Sequence, residues 1–118
     1  MNIEKVAKVH IAALPDTVSS RLGVEFVSFL YRIVRRVGYV LVVEKGGGVA
    51  GVVSGVGRLI LTLVVVPKWQ RRGVGRELIA LLPGRRYVYT RAESVGFYQK
   101  MGFGRWFTLG EMIVLCRK

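Results

Sequence analysis

The chain alternates stretches in which apolar residues recur every three or four positions with stretches in which they alternate or run together. Ile3, Val6, His10, Ala13 and Leu14 fall at helical spacing and Pro15-Asp16 ends the pattern, which predicts a short amphipathic first helix. A polar break, DTVSSRLG, separates it from a second helical stretch, Val24 to Val37. There Phe26, Leu30, Ile33 and Val37, flanked by Val27 and Val34, form the apolar face, and Arg32, Arg35 and Arg36 form the other. Gly38 is placed to stop that helix. Tyr39 to Glu44 is rich in β-branched residues, Gly46-Gly47-Gly48 reads as a turn, and Val49 to Val56 completes a hairpin. Leu59 to Val66, LILTLVVV, has Thr62 as its single polar residue, the pattern of a central strand covered on both faces.

Behind the run WQRRGVGR, Val74, Leu78, Leu81 and Leu82 again repeat at helical spacing, with Pro83-Gly84 as the stop. Tyr87 to Arg91 reads as a strand and Glu93 to Met101 as a short helix closed by Gly102. Arg105 to Leu109 and Met112 to Arg117 read as a final pair of strands turning at Gly110. The predicted order is two helices, three strands, helix, strand, helix, two strands, an α/β (α+β) arrangement. A length of 118 residues supports one core, so residues 1–118 are read as a single domain.

Charge sharpens this picture. Lys and Arg number 19 against 7 Asp and Glu, a net charge of +12, which attracts polyanions without choosing among nucleic acid, lipid headgroups and phosphorylated ligands. Half of that excess lies between Pro67 and Arg91, where seven cationic residues face Glu77 alone. The longest nearly uncharged run, Leu59 to Pro67, is far shorter than the ~20 residues of a membrane-spanning helix, and the N-terminus lacks a secretory pattern. The expectation is a cytoplasmic chain with no membrane contact. With Cys116 and His10 as the only cysteine and histidine, no metal site is expected, and Cys116 reads as a small apolar strand residue.

The glycine turn carries the chemistry. Amides opening a helix have no intrahelical acceptor and favour anions, and glycines at positions 73 and 75 allow a bend and a close approach of phosphate oxygens. Arg71, Arg72 and Arg76 add charge at the same point, so a diphosphate is the natural guest. The mononucleotide fingerprint GxxxxGK[ST] and the dinucleotide GxGxxG are both missing here.

The segment Leu63-Val64-Val65-Val66-Pro67-Lys68-Trp69-Gln70-Arg71-Arg72-Gly73-Val74-Gly75 resembles the cofactor motif of the GNAT N-acetyltransferase superfamily, a hydrophobic strand, a proline, then Gln/Arg-x-x-Gly-x-Gly/Ala. Downstream, Gly96-Phe97-Tyr98-Gln99-Lys100-Met101-Gly102-Phe103 is similar to that family's FYxKxGF segment. The resemblance covers most of the chain from about Val40 onward, and HIAALPDT…SRLGVEFVSFLYR looks like the family's first two helices. It implies a mixed, mostly antiparallel twisted sheet, splayed between the family's fourth and fifth strands and flanked by about four helices. The family's first strand is missing, leaving a sheet edge that a second copy of the chain could cover.

Carried over residue by residue, the resemblance implies that Gln70, Arg71, Arg72, Gly73, Val74, Gly75 and Arg76 wrap the pyrophosphate of acetyl-CoA. Leu63, Val64 and Val65 would give main-chain hydrogen bonds to the pantetheine arm. Tyr98 would be the general acid that protonates the departing CoA thiolate during direct transfer of the acetyl group to a primary amine. Two departures stand out. The central strand has no carboxylate base, so that duty falls to a water relay or to one of Asp16, Glu25, Glu44 and Glu93, with His10 as a further relay; Arg91 stands where relatives often carry an asparagine.

Two other readings remain open: a small basic nucleic-acid-binding module, and a catalytically idle CoA-binding protein on the same fold. Against the first, Phe26, Phe29, Phe97, Phe103 and Phe107 fall in apolar patterns that read as core, with no stacking platform. The acceptor, whether a protein N-terminus, a lysine, a small amine or an acidic macromolecule, has no signature in the sequence.

Overall fold

The structure is a computed structural model that describes residues 2–14 and 18–117. Its elements are α1 (Ile3–Ala13), α2 (Val18–Arg21), α3 (Val24–Val37), β1 (Tyr39–Lys45), β2 (Gly48–Val56), β3 (Leu59–Val65), α4 (Val74–Ala80), β4 (Arg86–Arg91), α5 (Val95–Gln99), β5 (Gly104–Leu109) and β6 (Met112–Arg117). The order follows the apolar periodicity, with differences where polar residues hid structure. Part of the polar break forms the single turn α2, and the stretch from Glu93 to Met101 splits into a 3₁₀ turn, Ala92–Ser94, followed by α5. Asn2 caps α1, its side chain accepting from the Lys5 amide at 3.1 Å.

The six strands form one sheet in the order β1-β2-β3-β4-β6-β5. Every neighbouring pair is antiparallel except β3 and β4, which run parallel and touch only through Leu59↔Tyr87 and Ile60↔Val88. Beyond Ile60 the two strands part. At that point the β2–β3 register shifts, Ser54 facing Thr62 and Gly55 facing Ile60, so that Leu61 is a bulge residue. A bulge raises local twist and turns β3 away from β4. The main-chain groups of β3 from Leu61 to Val65 that point away from β2 therefore border a gap.

Two apolar clusters sandwich the sheet. Val53, Ile60, Val88, Ile113 and Leu115 pack with Val74, Leu78 and Ile79 of α4 and Val95 and Tyr98 of α5. On the other face Val40, Val52 and Val64 pack with Ile3, Val6 and Ala7 of α1 and Val27 and Tyr31 of α3. Complete burial of one such side chain stabilises the fold by about 1.5–3 kcal/mol.

The buried stripe of α3 differs from the expected one. Val27, Ser28 and Tyr31 face the sheet, whereas Phe26, Phe29, Ile33 and Val37 are exposed. The buried stripe is rotated from the expected one toward the flanking Val27, with Ser28 and Tyr31 inward in place of Phe26 and Ile33. The choice falls to Tyr31, whose hydroxyl finds polar partners inside. Of the five phenylalanines read as core, only Phe103 is buried; Phe26, Phe29, Phe97 and Phe107 are all more than a third exposed. Gly38 ends α3 as expected, but without a positive φ. A Cβ there would lie 2.0 Å from the Gly55 carbonyl oxygen, so glycine is needed for close approach to β2.

Candidate functional site

The glycine turn sits at the C-terminal end of β3, beside the gap. Pro67–Trp69 forms a 3₁₀ turn, and the chain then takes left-handed backbone at Arg71, φ 63°, and at Gly73, φ 84°. Gly73 occupies the N-cap of α4 without a side chain to fill it, and the Glu77 amide is the first to bond back, to the Gly73 carbonyl at 3.0 Å. The amides of Val74, Gly75 and Arg76 thus open the helix with no intrahelical acceptor. Because α4 is only two turns long, these N–H groups and the nearby cations, more than a macrodipole, make the place attractive to anions.

A cleft of about 540 Å³ lies over this turn, lined by Val65, Trp69, Gln70, Arg71, Gly73, Gly75 and Arg76, with Phe97, Lys100 and Met101 closing its far wall. Arg71, Arg76 and Lys100 make it cationic. No Asp or Glu is among its lining residues, and Glu77 of α4 pairs with Lys45 at 3.0 Å. Lys68 and Arg72 lie over the Trp69 ring, 5.7 and 5.6 Å from its centroid, which stiffens the rim.

Of the residues assigned to the cofactor, Val65, Gln70, Arg71, Gly73, Gly75 and Arg76 therefore meet in one cleft. Leu63 turns its side chain into the cluster under α4, and Val64 and Val74 are fully buried. For Val64 and Val74 the buried side chain leaves only the main chain to meet a ligand. Arg72 is exposed at the rim. The Gln70 amide donates to the Val65 carbonyl at 3.0 Å and so binds the turn back onto the strand.

Gly75 has a second purpose that the sequence did not reveal. A Cβ built on it would lie 2.7 Å from the tip of the Phe97 ring, so the missing side chain admits α5 against α4. At Gly73 a Cβ would meet nothing within 4 Å, and the need there is the positive φ alone. Lys100 and Phe97 were legible as members of the FYQKMGF motif, but their place in the cleft wall required the fold.

Tyr98 does not line the cleft. It lies one helix position behind Phe97, 7% exposed, edge-on to Phe97 at 5.1 Å and to Phe103 at 5.6 Å. Burial pushes its phenol up to about 12, so it is protonated at all physiological pH values. Arg91 ends β4 in an exposed position outside the cleft wall.

On the opposite face of the sheet, Thr62 belongs to a buried polar chain. His10 Nδ1 and the Tyr31 hydroxyl are 2.8 Å apart, Tyr31 and Thr62 Oγ1 are 3.2 Å apart, and Thr62 Oγ1 is closely bonded to Ser54 Oγ. Four elements, α1, α3, β3 and β2, are joined by this chain. Thr62, bonded on both sides within it, lies two residues beyond the last β3–β4 pair, where the two strands have parted. Burial lowers the pKa of His10 and raises that of Tyr31, the latter opposed by the Thr62 hydrogen bond. The acids considered as bases do not share this position: Glu25, Glu44 and Glu93 are exposed, and Asp16 lies outside the described residues. Among the described residues there is no cluster of three or more His, Cys, Asp or Glu that could hold a metal, and no helix is long and apolar enough to cross a membrane.

Comparison with known proteins fits this geometry. Residues 36–105 match the family profile described as an acetyltransferase (GNAT) domain. No curated protein sequence matches the chain. Among solved structures, PH1933 from Pyrococcus horikoshii OT3 superposes with a TM-score of 0.80 at 13% identity, covering 98% of this chain and 89% of that one. The PaiA N-acetyltransferase of Thermoplasma acidophilum, solved in complex with coenzyme A, gives 0.75 at 17% identity, covering 98% and 92%. The ribosomal-protein-S18-alanine N-acetyltransferase of Escherichia coli gives 0.75 at 15%, covering 98% and 86%. At these identities the likeness is one of fold.

Proposed function

Because the chain belongs to the GNAT acetyltransferase family, we propose that it transfers the acetyl group of acetyl-CoA directly to a primary amine of an unidentified acceptor in the cytoplasm. The observation that carries this reading is the cationic cleft over the Gly73–Gly75 turn, placed where β3 parts from β4. The residues fit the group. Arg71, Arg76 and Lys100 with the α4 amides suit a pyrophosphate, and the unpaired edge of β3 suits an amide-bearing arm lying beside it like an added strand. When bound, acetyl-CoA supplies an activated thioester and a thiolate leaving group.

In this reading Arg71, Arg76 and the amides of Val74 to Arg76 hold the diphosphate. The Gln70 side chain keeps the turn seated on Val65, and Val74 anchors α4 in the core. Tyr98, outside the pyrophosphate cleft and kept protonated by burial, would give its proton to the thiolate at the far end of the arm. The acceptor amine must lose a proton, and the Thr62 hydroxyl lies on β3 just beyond its last pair with β4. It can accept that proton while passing its own through Tyr31 to His10 Nδ1. This replaces the missing strand carboxylate with a chain of hydroxyls ending on an imidazole.

The test is a thermal shift with acetyl-CoA followed by measurement of CoA release with a panel of amines. A ligand at about 100 times its Kd stabilises the folded state by about 2.7 kcal/mol, a rise of order 10 °C in a domain of this size. A melting temperature unmoved by saturating acetyl-CoA overturns the reading. A shift without CoA release on any amine would favour the idle CoA-binding protein, the alternative that the carboxylate-free strand supports.

A further inference from the structure

Among the described residues, half of the sheet has one face without a helix packed on it. α1 and α3 cover β1 to β3, and their cluster takes in no residue of β4, β5 or β6. Strand alternation turns Val88, Ile113 and Leu115 toward α4 and α5, so that Tyr87 and Tyr89 of β4, and Val114 and Cys116 of β6, look out on the bare side. β5 adds to it. Phe107 pairs with Val114, and the register shift between Arg105 and Phe107 brings the Trp106 ring over Tyr87, with centroids 5.3 Å apart and planes tilted by 32°. Tyr89 is 49% exposed, Trp106 60% and Phe107 46%. Large aromatics crowded on one open sheet face are not an ordinary surface.

A hollow of about 400 Å³ lies at the end of this face, between Arg85, Arg105 and the Tyr87–Trp106 pair, with Cys116 behind. Gly104 leaves it open, since a Cβ there would meet nothing within 4 Å. Arg85 and Arg105 are among the residues that line the hollow, and no Asp or Glu is.

We propose that this face binds single-stranded nucleic acid. Bases stack on Tyr89, Trp106 and Phe107, with Tyr87 backing the Trp106 ring, and phosphates meet Arg85 and Arg105. Flat π-faces on a sheet with arginines at the rim suit a ligand that alternates aromatic rings with anions, which is the chemistry of an unpaired strand. A second copy of the chain suits it poorly, because two surfaces of a +12 protein would meet arginine to arginine with no carboxylate between them. The inference stands on this surface and does not depend on acetyl transfer. It also corrects the expectation of no stacking platform, since Trp106 and Phe107 on β5 stand on the surface and not in the core.

The experiment uses a fluorescently labelled oligouridylate of about 12 nucleotides, with anisotropy measured between about 50 and 200 mM salt. Trp106→Ala is expected to weaken binding by about 5- to 150-fold, the range for losing one stacked base, while Trp106→Phe retains most of it. Arg85→Ala and Arg105→Ala should each reduce the salt slope by about 0.7. In a Trp69→Phe background Trp106 is the sole tryptophan, and its emission should be quenched by the oligomer. Folding of each variant is checked by its melting temperature. Absence of binding overturns the proposal, as does binding that Trp106→Ala and Tyr89→Ala leave unchanged, which would place the nucleic acid elsewhere on the basic surface. If Trp106→Ala instead converts a sedimenting dimer to monomer while RNA binding is unaltered, the face is covered by a second copy and the proposal fails.

Discussion

Replacing Tyr98 by Phe removes a single oxygen from the core and isolates its chemistry from its packing. The ring contacts with Phe97 and Phe103 survive the change. Loss of solvation by burial is the one cause of the displaced pKa, with no hydrogen-bond partner contributing. Deleting such a hydroxyl changes stability by less than about 1 kcal/mol, because no internal partner is left unsatisfied. The catalytic consequence is much larger. With a phenol pushed up to about 12, roughly one molecule in 100,000 is ionised at neutral pH, so essentially every molecule carries the phenol proton. Removing a positioned general acid costs about 10²- to 10⁴-fold in kcat, or about 3–5 kcal/mol in the barrier. The assay is CoA release under saturating acetyl-CoA and amine, beside a melting curve and an acetyl-CoA titration of both proteins. The expected result is a large fall in kcat with unchanged cofactor affinity and melting temperature. An alkaline arm adds an independent readout. A phenol whose folded pKa is raised contributes stability below its ordinary value of 10.0 and loses it as pH climbs toward about 12. The wild type should therefore lose about 3 kcal/mol of stability across that window through Tyr98, and Tyr98→Phe should lack that loss. If kcat stays at the wild-type level while the alkaline loss disappears, Tyr98 is a packed aromatic and the thiolate takes its proton from elsewhere.

Three further outcomes follow from the geometry. Gly73→Ala puts a Cβ into open space on left-handed backbone, so it should cost about 1–2 kcal/mol of stability by chemical denaturation and weaken acetyl-CoA binding without disturbing the core. Gly55→Ala is a packing test, because its Cβ would lie 2.1 Å from the Leu59 carbonyl oxygen and 2.5 Å from the Tyr39 hydroxyl. A loss of about 3 kcal/mol or more, read from the urea midpoint, is expected. His10 has its pKa lowered by burial, so the unfolded chain binds its proton first as pH falls through 6.5, and stability declines there. Urea midpoints at about pH 7.5 and about pH 5 should differ more in the wild type than in His10→Gln, and equal differences would remove His10 from the account.

Local chemistry made much of this protein legible before folding. Apolar period placed every major element, because helices and strands bury residues at fixed spacing along the chain. The pair Gly73 and Gly75 among three arginines marked the turn that opens α4, since left-handed backbone and unpaired helix-opening amides are properties of a few consecutive residues. Tertiary structure decided matters in which distant residues compete for the same space. It selected the Val27–Tyr31 side of α3 over the Phe26–Ile33 side, because only Tyr31 reaches both His10 and Thr62. It also gave the volume missing at Gly75 to the Phe97 ring. The aromatic face of β4, β5 and β6 was hidden for the same reason. Its residues follow strand patterns that read as buried, and exposure depends on where α1 and α3 stop covering the sheet, a boundary set by the parting of β3 from β4 and by no residue in the aromatic strands themselves.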